Sequence, residues 1–165
     1  MSKKRILITY GIPKEGLELL NNDFEIIYPQ KIKFSDEEII RYGKDCEVIM
    51  SVFGNKLPDS VFDSNTKLRM ISNFGAGFDN INIDLATKNK VLVTNTPSPV
   101  TEPTAELTIG ITLALLRRIC ELDSKIKSKA NLQWGVMENL GHSLNGKKVG
   151  IIGLGKIGLS VARKF

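Results

Sequence analysis

The chain has 165 residues, of which 42% are hydrophobic and 25% are charged, as in a globular protein that folds around its own core. This length suffices for one domain of ordinary size, or for one domain and part of a second. The net charge of +5 comes from scattered lysines and arginines without an aromatic-rich basic strip, which argues against a nucleic-acid interface.

The cysteine usage and the lengths of the apolar runs indicate the compartment. Cys46 and Cys120 lie far apart beside apolar residues, and we expect both to be buried free thiols in a reducing environment. No apolar run reaches transmembrane length, and residues 6–8 are too few for the core of a signal peptide. We therefore expect a cytoplasmic protein that binds neither membrane nor nucleic acid.

Short apolar runs alternate with helical patterns in the first part of the chain. The runs predict strands at residues 5–9, 24–28, 46–52, 69–74 and 91–94. The helical patterns open at Pro13, run from Ser35 to about residue 40, begin at 58–62 and cover 83–89. Ser35 and Glu38 have the spacing of a capping box. This alternation predicts βαβ units, and hence an α/β fold with a parallel sheet covered by helices on both faces.

The predicted domain organisation follows from a proline-rich segment. Residues 1–95 are predicted to form the first domain, and three prolines make residues 96–103 a stiff hinge. Thr101 is predicted to cap the next helix, whose residues 105–116 are apolar nearly all round and should be buried at a domain or subunit interface. Residues 122–134 predict a polar helix, and residues 135–146 predict a loop.

The last part of the chain carries a glycine motif. An apolar run at 148–152 leads into Gly153, Gly155 and Gly158, spaced as in Gly-x-Gly-x-x-Gly, and a helix begins behind them. In a dinucleotide site the first glycine allows the tight turn, the second lets the backbone approach the pyrophosphate, and the third lets the helix pack on its strand. The pattern alone is weak evidence, but its place between a predicted strand and a predicted helix favours a cofactor site over a structural turn.

Two loops follow predicted strands at the carboxyl edge of the sheet, where ligands bind in open parallel sheets. They are residues 51–55 and residues 73–80. In the second loop, Gly75 and Gly77 flank one small residue, so their N–H groups can form an anion-binding concavity that suits a carboxylate. The alternative is an ordinary turn in which both glycines supply a positive φ. Asp79 and Asn80 are predicted to be turn and cap residues.

His142 is the single histidine of the chain and lies in a glycine-rich loop without a carboxylate at a suggestive spacing. We predict that it is a surface residue. No Ser–His–Asp, Cys–His or metal-ligand arrangement can be assembled, and no metal is expected.

Several motifs occur in a characteristic order. They are Gly75-Ala76-Gly77-Phe78-Asp79-Asn80-Ile81, Thr94-Asn95-Thr96-Pro97, Thr104-Ala105-Glu106-Leu107, Arg117-Arg118, Trp134 and the stretch from Leu144 to Gly158. Together they resemble the N-terminal half of the D-isomer-specific 2-hydroxyacid dehydrogenases, which include glyoxylate/hydroxypyruvate reductases, D-lactate dehydrogenases and D-3-phosphoglycerate dehydrogenases. The resemblance covers essentially the whole chain.

The resemblance implies a flavodoxin-like substrate domain, then the beginning of a Rossmann-type NAD-binding domain over residues 104–165, with the active site in the cleft between them. It implies that N–H groups of the loop at 74–76 bind the substrate carboxylate and that the loop at 53–54 lines the substrate pocket. The substrate-binding residues are then Phe53, Gly54, Phe74, Gly75 and Ala76.

The resemblance also assigns cofactor contacts. The matching positions are Ala76, Thr104, Gly153, Gly155, Lys156, Ile157 and Gly158, of which Ala76 and Thr104 would lie near the nicotinamide. The implied cofactor is NAD or NADP, with NAD as the first choice. The substrate would be a small 2-oxo or 2-hydroxy carboxylic acid, and the helix from Thr104 would form the contact of a homodimer.

The family's catalytic Arg, Glu and His lie in its C-terminal half, and they match no residue here. We therefore assign no catalytic residue and expect the 165-residue polypeptide alone to be inactive. Three hypotheses follow: the N-terminal portion of a 2-hydroxyacid dehydrogenase, a catalytically inactive truncated module for binding or dimerisation, or a relative of the formate and phosphite dehydrogenases.

Overall fold

The computed structural model describes residues 3–129 and 132–165. The chain divides into two compact units, Met1–Ser98 and Pro99–Phe165. The division falls inside the proline-rich segment 96–103.

The first unit contains one sheet of five parallel strands in the order β2-β1-β3-β4-β5. The strands are β1 (Lys4–Ile8), β2 (Phe24–Ile27), β3 (Val48–Val52), β4 (Met70–Phe74) and β5 (Leu92–Thr94). The predicted α/β fold is confirmed, and the strand order is that of a flavodoxin-like sheet. Each strand lies inside its predicted run, except that β1 begins one residue earlier.

The helices of the first unit connect these strands. They are a 3₁₀ helix (Lys14–Leu20), α1 (Asp36–Gly43), α2 (Ser60–Ser64) and α3 (Ile83–Lys88). The predicted capping box starts α1: the Glu38 N–H donates to Ser35 Oγ at 3.3 Å, and the Ser35 N–H donates to the Glu38 carboxylate at 2.8 Å. These two bonds satisfy orphan donors at the helix start.

Two hydrophobic clusters cover the sheet. Leu7 belongs to the larger cluster, whereas Ile6 and Ile8 belong to the smaller one. Because successive side chains of a strand point to opposite faces, the clusters lie on the two faces of the sheet. Cys46 is fully buried in the larger cluster, and its burial raises the pKa of the thiol to about 11. The prediction for Cys120 is wrong, since this residue is exposed on a helix that buries none of its residues.

The second unit is helical over its described residues, with α4 (Thr101–Leu116), α5 (Ile119–Lys127) and α6 (Lys156–Lys164). Helix α6 packs against α4, and Ser160 Oγ donates to the Glu102 carboxylate at 2.8 Å. Thr101 does not cap α4, because the helix already includes it and Val100 holds the cap position without a side-chain bond.

Two predictions for the second unit differ from the structure, and one stays a prediction. Of the apolar helix α4, only Ala105 is buried within the chain, so burial of the other residues at a subunit interface stays a prediction. The predicted helix 122–134 ends at Lys127, and residues 130 and 131 of that prediction lie outside the described residues. Residues 148–152 form no strand, because the described residues of this unit offer no neighbouring strand for pairing. Residues 135–146 contain neither helix nor strand, as predicted.

Across the described ranges, no helix combines the length and the apolar character that a bilayer crossing requires.

Candidate substrate and cofactor sites

The predicted substrate residues come together where β3 and β4 end. The two strands pair side by side, with Ser51 opposite Asn73 and Val52 opposite Phe74. One residue further on, the Phe53 N–H donates to the Phe74 carbonyl at 3.1 Å. The strand register therefore brings both predicted loops to one point on the carboxyl edge of the sheet.

Gly75 is required by close approach of the two loops. A Cβ at this position would lie 2.6 Å from Phe53 Cβ, a distance that real Cβ atoms do not tolerate. Neither Gly75 nor Gly77 has a positive φ, so the alternative of an ordinary turn with two left-handed glycines is wrong. The left-handed residue of this edge is Gly54, with φ of 77°.

Hydrogen bonds fix the loop from its other side. The Gly75 N–H donates to Thr96 Oγ1 at 3.1 Å and to the Asn73 carbonyl at 3.0 Å. Asn95 Nδ2 donates to the Ala76 carbonyl at 2.8 Å. The Gly75 N–H therefore already has two acceptors, with which an anion would compete. Among residues 3–129 and 132–165, the N–H groups of Ala76 and Gly77 donate to no other group.

Asn73 holds this loop in place, a role that the sequence did not reveal. Its side chain is 1% exposed, and its Oδ1 accepts from Ser51 Oγ at 2.8 Å and from Asn80 Nδ2 at 3.0 Å. Its Nδ2 donates to the Gly77 carbonyl at 2.7 Å and to Asn80 Oδ1 at 3.3 Å. This fully satisfied buried amide ties the end of β3 to the loop 73–80, and such networks rigidify what they connect.

Asn80 is consequently not the helix cap that the sequence suggested. Asn82 takes that place, with Oδ1 accepting from the Leu85 N–H at 3.1 Å, while the Asn80 amide pairs with Asn73. The available signal was a polar residue in each of two apolar strands, Ser51 in β3 and Asn73 in β4. Recognising their partnership requires the register.

The glycine motif of the second unit has the geometry of a phosphate turn. Gly153 has φ of 92°, as the tight turn requires. A Cβ at Gly158 would lie 2.1 Å from the Gly153 carbonyl oxygen, so only glycine fits there. At Gly155 a Cβ would meet nothing within 4 Å, which leaves room for a ligand close to the backbone.

The start of α6 completes this turn. Lys156 and Ile157 form its first turn, and Gly155 is its N-cap without a side-chain cap. The first N–H groups of the helix are therefore available to an anion, and the dipole of the helix favours negative charge there. These residues fit the pyrophosphate of a dinucleotide.

The remaining residues of interest lie on or near α4. Thr104 is exposed in the first turn of this helix. Glu102 also pairs with Lys164 Nζ at 2.9 Å, and the bonds from Lys164 and Ser160 lower the pKa of the Glu102 carboxyl. His142 is exposed in its loop, and its backbone N–H donates to the Leu116 carbonyl at 2.8 Å. It is a surface residue, as predicted.

Comparison with protein families gives a match over most of the chain. The family described as D-isomer specific 2-hydroxyacid dehydrogenase, catalytic domain, matches residues 6–152. A glyoxylate reductase from Thermococcus gammatolerans is 33% identical over 98% of this chain and 50% of its own length. The chain spans about half the length of the curated relatives that it matches.

Solved structures also match nearly all of this chain and about half of their own length. An NADPH-dependent glyoxylate/hydroxypyruvate reductase from Sinorhizobium meliloti, in complex with NADP and malonate, is 31% identical with a TM-score of 0.80. The match covers 99% of this chain and 50% of that one. The TT0316 protein from Thermus thermophilus is 26% identical with a TM-score of 0.89, over 97% of this chain and 52% of the other.

Proposed function

The chain belongs to the D-isomer-specific 2-hydroxyacid dehydrogenase family, and from that premise we propose that it forms part of an NAD(P)-dependent oxidoreductase. The reaction would interconvert a small 2-oxo acid and its D-2-hydroxy acid by hydride transfer. The observation that carries this proposal is the loop 73–80, held by Asn73 with the N–H groups of Ala76 and Gly77 free at the carboxyl edge of the sheet.

The loop would bind the carboxylate common to substrate and product. Two N–H groups on a rigid loop can donate to one carboxylate, and charge-assisted bonds of this kind are about twice as strong as neutral ones. Gly75 contributes by its missing side chain, since it lets Phe53 and Phe74 close around the loop. The stretch at Phe53 and Gly54 would line the rest of the substrate site.

The glycine turn would hold the cofactor, NAD or NADP, with NAD as the first choice. Gly153, Gly155 and Gly158, with Lys156 and Ile157, would take the pyrophosphate at the start of α6. Ala76 and Thr104 are the proposed contacts near the nicotinamide. The bound cofactor supplies the hydride; this chain supplies the carboxylate site and the phosphate turn.

Helix α4 supports a homodimer. Leu107, Ile111 and Leu115 are 61%, 59% and 78% exposed and recur every four residues, so they form one apolar stripe along the helix. Contact of such a stripe with water is unfavourable, and pairing with the same stripe of a second copy would bury it. Light scattering on the chain and on Ile111→Asp should show a dimer only for the parent chain.

A titration followed by NMR tests the carboxylate site. Pyruvate added to the ¹⁵N-labelled chain should shift the amide signals of Ala76 and Gly77, whereas pyruvamide, which lacks the charge, should not. Equal responses to both compounds, or none, would contradict the proposal. We expect no NADH oxidation with pyruvate from this polypeptide, since none of its residues matches the family's catalytic Arg, Glu and His. Turnover at an enzymatic rate would overturn that expectation.

A further inference from the structure

The geometry points to a 2-oxo acid with an apolar side chain, bulkier than those of glyoxylate and pyruvate, as the substrate of this chain. The inference rests on the proposed function and adds a second subsite to it: an apolar recess beside the carboxylate loop. Branched aliphatic and aryl-substituted 2-oxo acids form the chemical class that would fill it.

The recess has a volume of about 530 Å³ and lies wholly within the first unit. Its lining comes from the loops that follow β1 and β2 and from the ends of β3 and β4. The apolar side chains that line it are Ile12, Pro13, Ile32, Val52, Phe53 and Phe74.

The exposed apolar surface of this recess is concentrated. Ile32 is 72% exposed, Phe53 is 64% exposed and Phe74 is 48% exposed. Single exposed apolar residues are ordinary on protein surfaces. Several large ones around one concavity are typical of a ligand site, because they lower their free energy by contact with an apolar group.

The part of the lining that carries Ile32 is held by backbone hydrogen bonds. The Gly11 N–H donates to the Ile32 carbonyl at 2.8 Å, and the Phe34 N–H donates to the Thr9 carbonyl at 3.1 Å. Tyr10 and Lys33 form an antiparallel bridge between these bonds. The backbone around Ile32 is thus fixed without a ligand, which lowers the cost of ordering this part of the recess on binding.

The recess and the carboxylate loop 73–80 have Phe74 in common. Phe74 lines the recess and directly precedes Gly75, and Phe53 bonds to Phe74 through its backbone N–H. A small molecule with its carboxylate on the loop therefore has the recess as the adjoining space. This contiguity argues for the side chain of the 2-oxo acid as the occupant.

The charge of the lining selects the side chain further. Lys33 is the one charged residue that lines the recess in the described part of the chain, and its Nζ bonds to Asn55 Oδ1 at 3.2 Å. No acidic side chain lines it, so a cationic side chain would find no partner there. Six apolar side chains line the recess and favour an apolar side chain; Lys33 keeps its charge and two further N–H donors beside Asn55, so a 2-oxo acid with a second carboxylate is the competitor that the test includes.

Binding of 4-methyl-2-oxopentanoate, pyruvate and 2-oxoglutarate to the 165-residue chain tests the inference. Dissociation constants come from NMR titrations that follow the amides of Ala76 and Gly77 for the carboxylate and the methyl group of Ile32 for the recess. We expect 4-methyl-2-oxopentanoate to bind about tenfold more tightly than pyruvate, since its three additional carbons lose contact with water in the recess.

Ile32→Asn should reduce this preference to about twofold, because it replaces an apolar side chain of the recess with a polar one and so weakens the binding of 4-methyl-2-oxopentanoate. Leu19→Asn is the matched control: it changes an apolar residue that is 86% exposed in the same unit but outside the recess lining, and it should keep the tenfold preference. Both positions are largely exposed, so neither variant should unfold the chain.

The outcomes separate the two proposals. If the amide signals of Ala76 and Gly77 give equal dissociation constants for all three acids, or if 2-oxoglutarate binds most tightly, the apolar subsite is wrong. The proposed carboxylate site would still be supported by either result. Absence of loop shifts with every acid would instead overturn the proposed function on which the subsite depends.

Discussion

Replacing Asn73 with leucine should separate the positioning of the carboxylate loop from the stability of the fold. Leucine has as many side-chain heavy atoms as asparagine and carries no charge, so it does not repel an anion. Its methyl groups need more room than the planar amide, and this overpacking costs about 1–3 kcal/mol in addition to the lost bonds. The substitution removes every side-chain bond of Asn73, which holds Ser51, Gly77 and Asn80 together. We expect the loop to lose its fixed geometry and pyruvate to bind about tenfold more weakly, because binding must then pay for ordering the loop.

The loss of unfolding free energy in Asn73→Leu can be estimated and compared with that of a control variant. Asn73→Leu leaves three partner groups without their bonds, which at about 1 kcal/mol each lowers the free energy of unfolding by about 3 kcal/mol. Asn65→Leu is the control. Asn65 is 5% exposed, donates to the carbonyls of Gly43 and Cys46, and accepts from the Lys67 N–H. Asn65→Leu leaves the Cys46 carbonyl and the Lys67 N–H unpaired, whereas the Gly43 carbonyl still accepts from the Cys46 N–H at 2.9 Å, so the lost bonds cost about 2 kcal/mol. Asn65 lies outside the carboxylate loop.

Urea denaturation gives the free energies of unfolding of both variants, and circular dichroism shows that each is folded before titration. The expected result is a similar loss of stability in both, with weaker pyruvate binding in Asn73→Leu and binding within about twofold of the parent chain in Asn65→Leu. The reasoning is refuted if Asn73→Leu binds pyruvate as tightly as the parent chain, or if the control weakens binding equally.

Three further predictions address other parts of the chain. Gly158→Ala places a Cβ 2.1 Å from the Gly153 carbonyl oxygen, so it should lower the free energy of unfolding by about 1–3 kcal/mol. It should also abolish the NMR shifts that NADH causes in the parent chain. Undiminished shifts would count against the cofactor turn. A thiol reagent should modify Cys120 rapidly and Cys46 only after unfolding in urea, since Cys46 is fully buried with a pKa of about 11; two rapid equivalents in the native chain would contradict this. In the capping box, the bond from the Ser35 N–H lowers the pKa of Glu38 below its ordinary 4.5. The ionised Glu38 therefore contributes its full stabilisation above about pH 4.5, and this stabilisation is lost as the pH falls through the lower pKa of the folded state. Glu38→Gln should therefore lessen the acid dependence of urea unfolding, and an unchanged pH profile would exclude this contribution.

Much of the architecture followed from local patterns in the sequence. Alternating apolar runs and helical segments predicted all five strands of the first unit, because strand and helix periodicities depend on neighbouring residues. The capping box at Ser35 is local in the same way, since its two partners lie three residues apart. The glycine spacing also predicted the turn at Gly153 and the close contact at Gly158, which involve only adjacent backbone.

Local patterns were insufficient where a residue's partner depended on the packing. The apolar helix α4 was predicted to be buried at a domain or subunit interface, and that prediction stays open, since Leu107 and Ile111 are exposed in the single chain. Hydrophobicity indicates that a face will be covered, but not which element covers it. Residues 148–152 have the composition of a strand, but a strand requires a neighbour with which to exchange hydrogen bonds.

The candidate substrate site shows the same division. The sequence by itself determined that Gly75, Ala76 and Gly77 follow a strand of a parallel sheet, and this placed a loop at the edge where ligands bind. Only the tertiary structure decided which N–H groups remain free. Thr96 reaches Gly75 across 21 residues, and Ser51 reaches Asn73 across 22. These contacts exist because β3, β4 and β5 pair in one register, which is set by the burial of the whole sheet and not by any segment alone.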